Sequence, residues 1–90
     1  LEKKVLIINK SVYKFINTSF KEPFNLVFLD PPFKENNIAE IIDPLKKTKK
    51  LDKNALFIVH RHKKSKDIFP ESFKILDEKK YGLSKIIFGN

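Results

Sequence analysis

Leu26-Val27-Phe28-Leu29-Asp30-Pro31-Pro32-Phe33 reads as a buried strand running into a turn made of hydrogen-bond acceptors. Four consecutive apolar residues, Leu26 to Leu29, match a strand covered on both faces, as in the middle of a parallel sheet. A carboxylate follows where the strand ends, at the edge of an open α/β sheet where ligands bind. Pro31 and Pro32 then restrict the backbone and bring no N–H, so their carbonyls can only accept. Phe33 closes the group with an aromatic ring. Acceptors beside a flat apolar ring suit a planar group bearing an NH2, such as a nucleobase with an exocyclic amine.

On the N-terminal side, Val5–Ile8 is a short apolar run expected to form a strand. Ser11 is placed to cap a helix whose Val12, Phe15 and Ile16 share one face. On the C-terminal side, Asn36 or Asn37 is expected to cap a second helix, in which Ile38, Ile41, Ile42 and Leu45 fall at i, i+3, i+4 and i+7. Lys46, Lys47, Lys49 and Lys50 gather at its C-terminal end, where they favour the helix dipole. Pro44 is expected to kink or shorten it. Ala55–Val59 reads as another buried strand, ending in His60-Arg61-His62-Lys63-Lys64. Beyond a polar loop, Phe73–Leu76 and Lys85–Phe88 read as two strands joined through Tyr81-Gly82. The alternation of strands and helices predicts an α/β fold with an antiparallel hairpin at its end.

Ninety residues make one small domain at most. The absence of cysteine removes disulfides and thiolate metal sites from consideration. No apolar run approaches the roughly 18 residues needed to span a membrane, so a cytoplasmic protein without membrane contact is expected. The net charge of +8 fits a polyanion partner. It fits equally well solvated lysine faces in a composition rich in Lys, Ile, Asn and Phe. The chain begins at Leu1 and runs at once into a strand, and residues 1–90 are therefore read as one partial domain, the C-terminal piece of a longer protein.

Asp30-Pro31-Pro32-Phe33 resembles the catalytic motif of methyltransferases that use S-adenosylmethionine to modify amino groups. The helix after it, Leu51-Asp52-Lys53-Asn54-Ala55-Leu56 leading into a strand, and Glu78-Lys79-Lys80-Tyr81-Gly82-Leu83-Ser84-Lys85-Ile86 narrow the likeness. Together they resemble the C-terminal half of the 16S ribosomal RNA (guanine-N2)-methyltransferases. The resemblance implies a Rossmann-like sheet of order 3-2-1-4-5-7-6. Val5–Ile8 would be its third strand and Asn25–Leu29 its fourth, with the two strands between them missing. The family's Gly-rich cofactor loop and the acidic residue ending its second strand are absent too. The piece alone is thus expected to be inactive and to bind the cofactor weakly or not at all.

The resemblance further implies roles for individual residues. Asp30, Pro31, Pro32 and Phe33 would form the reacting centre. The Asp30 carboxylate and Pro31 carbonyl would hold the amine hydrogens, Pro32 would hold the turn, and Phe33 would stack on the base. Asp30 would also border the cofactor. Ser11 stands where the family often has Asp or Asn at the cofactor's adenine edge, and it serves either there or as a helix cap. His60 stands where the family often has Glu, and with His62 it reads as a solvated histidine at a strand end; no metal is expected. Lys34 would contact phosphate at the rim. Arg61, Lys63 and Lys80 are candidates for the RNA backbone, with a solvated loop or a plain turn as the alternative. The implied partner is ribosomal RNA or the small-subunit particle, met by a monomer. Two other readings remain, an adenine-specific DNA amino-methyltransferase and a basic RNA-binding piece without catalysis.

Overall fold

The computed structural model describes residues 5–8, 24–32, 34, 36–48 and 51–90. Strands β1 (Val5–Ile8), β2 (Phe24–Leu29), β3 (Leu51–His62), β4 (Ile75–Tyr81) and β5 (Ser84–Gly89) form one sheet of order β1-β2-β3-β5-β4. The pairs β1–β2 and β2–β3 are parallel, whereas β5 runs antiparallel to both β3 and β4. This is the α/β architecture with a terminal hairpin that the sequence predicts. β1 lies directly beside β2, from Val5 opposite Leu26 to Ile8 opposite Leu29, as expected of a chain that lacks the two strands the family order places between them. The Asp30 N–H donates to the Ile8 carbonyl at 2.9 Å, which carries the ladder to the first residue of the turn.

The core lies on one face of the sheet. Val27 and Leu29 of β2, Ala55, Phe57 and Val59 of β3, and Ile87 of β5 are buried there, together with Ile38, Ile42 and Leu45 of the helical segment. Leu26, Phe28, Leu56 and Ile58, which alternate with them, are only partly buried. The burial of β2 on both faces expected from Leu26–Leu29 is thus complete on one face alone. A strand can be apolar throughout and still follow the two-residue alternation of its pleat.

Helix α1 (Ala39–Lys47) is amphipathic as expected and continues through Pro44 to Lys47, with Glu40 in its first turn and Lys46 and Lys47 in its last. The asparagine cap is not formed. Ile38 occupies the cap position with no side-chain hydrogen bond, and Asn37 Oδ1 is buried without a partner. The reason is tertiary. The segment after β3 passes the helix N-terminus and there the Ile68 carbonyl accepts the Ala39 N–H at 2.8 Å, while the Ile68 N–H donates to the Asn36 carbonyl at 2.8 Å. A donor already satisfied by a neighbouring backbone needs no side-chain cap.

Two strands differ from their expected extent by more than one residue at an end. β3 begins at Leu51 and ends at His62, because pairing with β2 starts at Phe24–Leu51 and pairing with β5 reaches His62–Ser84. β4 is Ile75–Tyr81, not Phe73–Leu76. It is an edge strand exposed along its whole length, so backbone pairing with β5 defines it, and its side chains carry no burial pattern to read. The hairpin turns through Gly82 and Leu83. Gly82 has φ +53°, and no non-glycine residue has positive φ among the described residues. A type I′ turn needs positive φ at both central positions, so the glycine-first geometry of type II′ fits. The proposed helix beginning at Ser11 lies outside the described residues.

Candidate active site

The parallel register builds the site. Leu26 pairs with Leu56 and Phe28 with Ile58, so a β2 residue meets the β3 residue 30 positions later. One step beyond the ladder, this places Asp30 beside His60 on the half-covered face. On the other side of β3, His60 pairs with Ile86 and His62 with Ser84. Ser84 is therefore a diagonal, same-face neighbour of His60. The side chains complete what the register sets up. His60 Nδ1 lies 3.0 Å from Asp30 Oδ1, and His60 Nε2 lies 3.1 Å from Ser84 Oγ.

These residues surround a cleft of about 310 Å³ lined by Asp30, Pro31, His60, Arg61, His62, Leu83 and Ser84. Its size is at the low end for ligand pockets. It opens at the carboxyl ends of the parallel strands, where α/β sheets bind ligands. The Asp30 side chain is 49% exposed and that of His60 37%. Asp30 Oδ2 has no hydrogen-bond partner among the described residues, so one oxygen of this cleft-lining carboxylate is held by the protein and the other is left without a protein partner there. Leu83, 66% exposed at the hairpin tip, adds an apolar wall.

Beneath the turn lies a second constellation. Arg61 falls in the buried parity of β3 with Phe57 and Val59 and is only 2% exposed. Its Nε donates to Asp67 Oδ1 at 2.7 Å, and its Nη1 donates to the Pro31 and Pro32 carbonyls at 3.1 and 3.2 Å. Asp67 Oδ2 accepts from Ser65 Oγ at 2.8 Å, and Lys85 Nζ donates to the Ser65 carbonyl at 2.8 Å. The two prolines cannot be tied down through N–H groups, so a buried guanidinium ties them down through their carbonyls.

Two expectations change here. Arg61 is not a solvated or RNA-facing cation; a side chain with its guanidinium in a buried ion pair and on two carbonyls cannot reach a phosphate. His60 is not a loosely solvated histidine, because both ring nitrogens are engaged. His62, on the same face, accepts the Lys64 N–H at Nδ1. Among the described residues no group of acidic, histidine or cysteine side chains could hold a metal ion. Asp30, Pro31 and Pro32 lie together at the strand edge as expected. Lys34 and Lys63 are exposed in turns, and Lys80 is exposed on β4. Phe33 and Ser11 lie outside the described residues. The Asp30–His60–Ser84 chain was the missed element. Its one sequence signal was a polar, hydrogen-bonding residue at each of two strand ends, which carries no register.

The parallel strands, the acceptor turn at their carboxyl edge and the antiparallel tail define a Rossmann-like sheet of the methyltransferase type. The chain belongs to the family described as Conserved hypothetical protein 95, whose model matches residues 1–90. It is 37% identical over 78 residues to the ribosomal RNA small subunit methyltransferase D of Haemophilus influenzae, covering 86% of this chain and 40% of that protein. A crystal structure of a Haemophilus influenzae protein described as a methylase matches with 35% identity and a TM-score of 0.65, covering 91% of this chain and 52% of that one. A conserved hypothetical protein of Streptococcus pyogenes matches with 27% identity and a TM-score of 0.70, covering 90% and 51%. The chain thus spans between two fifths and about half of these relatives.

Proposed function

We propose that this chain is the C-terminal part of a catalytic domain that transfers a methyl group from S-adenosylmethionine to the exocyclic amine of a guanine in small-subunit ribosomal RNA. The observation that carries the reading is the Asp30 carboxylate at the carboxyl edge of β2, with Oδ1 held by His60, in a residue that lines the cleft. Family membership and the name of the curated relative support the substrate class.

The residues present fit one side of such a reaction. The chain's two glycines are Gly82 and Gly89, both in the terminal hairpin, so no Gly-rich loop is available to cradle the cofactor. The Asp30 edge borders the donor, and Ser11 is the other candidate contact. When bound, S-adenosylmethionine supplies an electrophilic sulfonium methyl group.

An aromatic amine is a poor nucleophile because its lone pair is delocalised into the ring. Asp30 Oδ2 accepting one N–H favours a pyramidal nitrogen and stabilises the positive charge that would develop there as the N–C bond forms and the S–C bond breaks. The amine proton would pass to Asp30 or to water, with a neutral thioether as the leaving group. The Pro31 carbonyl is the second acceptor. Its bond from Arg61 occupies one lone pair and draws density from the other, so the carboxylate takes the greater share. Phe33 would stack on the base, a contact worth roughly 1–3 kcal/mol in comparable sites. A base in a cleft this small must be unstacked or flipped to enter it. The exposed Lys34, Lys63 and Lys80 are the candidate phosphate contacts.

The test uses the complete protein with labelled S-adenosylmethionine and small-subunit particles, followed by nucleoside analysis. Asp30→Ala is expected to abolish methylation of guanine while cofactor affinity stays within a few-fold. Wild-type turnover by that variant removes Asp30 from the reaction, and a methylated base other than guanine overturns the substrate reading.

A further inference from the structure

We infer that His60 is a positioning residue for Asp30, held in one tautomer by Ser84, and that this bridge across three strands presents the free carboxylate oxygen to the substrate amine. The inference rests on the methyl-transfer reading above and assigns the residue that orients its acceptor.

A carboxylate can only accept, so the atom of His60 that faces Asp30 Oδ1 at 3.0 Å carries the hydrogen; that atom is Nδ1. In the neutral ring Nε2 is then the acceptor, and the Ser84 hydroxyl at 3.1 Å donates to it. Each end of the imidazole is thereby defined, and the ring cannot flip without losing both bonds. An aspartate at a strand end has two rotatable side-chain bonds and is half exposed here. Without the bridge its carboxylate would sample several rotamers in water. With it, Oδ1 is held and Oδ2 is left free in a residue that lines the cleft.

The backbone of the same residue is held independently. The Asp30 N–H bonds to Ile8, and the following carbonyls bond to Arg61. His60 thus governs the one remaining freedom, the direction of the carboxylate. Ser84 follows the Gly82-Leu83 turn directly, so the hairpin tip supplies the outer end of the bridge and a cleft wall together.

The experiment is steady-state kinetics of the complete protein on small-subunit particles, with H60A, H60N, H60Q, S84A and D30A compared after each is shown to melt cooperatively. Misplacing a reacting group by about 1 Å costs on the order of 100-fold, so H60A is expected to lower kcat by about 10- to 100-fold with KM for both substrates little changed. Asparagine places its amide nitrogen where His60 has Nδ1, so H60N is expected to restore most of kcat. Glutamine places its amide near Ser84 instead, so H60Q is expected to resemble H60A. S84A should lower kcat by a smaller factor, since Asp30 still holds the ring. Unchanged kcat in H60A, or equal loss in H60A and H60N, overturns the inference while an inactive D30A leaves the methyl-transfer reading standing. An active D30A overturns that reading itself. If H60A does not fold, the imidazole nitrogen shifts of the unsubstituted protein decide. A hydrogen on Nδ1 supports the bridge and a bare Nδ1 overturns it.

Discussion

Replacing Arg61 by methionine separates structural from RNA-binding roles for the most buried cation among the described residues. The substitution keeps an apolar stem of similar length and removes the guanidinium. It leaves the Asp67 carboxylate, whose side chain is 1% exposed, without its 2.7 Å partner, and it strips a donor from the Pro31 and Pro32 carbonyls. Breaking a buried ion pair from one side costs roughly 3–5 kcal/mol. Lys85 Nζ, 3.7 Å from Asp67 Oδ2, compensates in part and places the expected loss near the lower figure.

A loss of about 3 kcal/mol is a change of more than 100-fold in the folding equilibrium. It is also a large share of the roughly 5–15 kcal/mol that holds a typical domain. With a denaturant slope of about 1–2 kcal/mol/M, the urea midpoint should fall by about 1.5–3 M. The assay is urea unfolding of the complete protein followed by circular dichroism. The double variant R61M/D67L should recover much of the loss, because replacing both charges by apolar groups removes the stranded carboxylate. Unchanged unfolding in R61M, together with weaker RNA binding and a shallower salt dependence, would refute the structural assignment and return Arg61 to the phosphate-contact class.

Gly89→Ala should destabilise by about 1–3 kcal/mol, as overpacking does; its Cβ would collide with Phe73 Cζ and lie 2.6 Å from the Lys74 carbonyl oxygen. Phe73 is stacked on Phe69 and edge-on to Phe57, so it has little room to retreat. Thermal unfolding measures the cost, and a neutral variant would mean that the Phe73 ring moves freely. Gly82→Ala meets no steric neighbour and has only its φ of +53° against it. The expected cost is about 1–3 kcal/mol, and Gly82→Asn should cost about as much, because the first central position of a type II′ turn lies outside the left-handed region that Asn tolerates. Equal melting of the alanine, asparagine and glycine forms would show that the turn has relaxed to another type.

The strand ending in Asp30, the amphipathic face of α1 and the hairpin at Gly82 were legible because each rests on contacts between residues near in sequence. A two-residue alternation, a three-to-four-residue stripe and a glycine at a turn need no distant partner. The asparagine cap failed for the opposite reason, since the Ile68 carbonyl that replaced it arrives from beyond β3. Arg61 illustrates a pattern read too early as polar. Ala55, Phe57 and Val59 alternate as buried residues, and the same parity continues to Arg61, with Asp67 six residues on as its counter-charge. Extending the alternation past the first charged residue would have placed it inside.

Local chemistry by itself determined that a carboxylate, two donor-free prolines and their carbonyls meet at a strand end, because the chain joins them covalently. Only the tertiary structure decided what holds them. The strand register brings His60 to Asp30 across 30 residues and Ser84 to His60 across 24. The fold beneath turns Arg61 and Asp67 inward to the proline carbonyls. Register and burial are properties of the whole sheet, set by the sum of its backbone pairs and its packed face. A residue's type shows what bond it can make, and the sheet determines which partner is within 3 Å to make it.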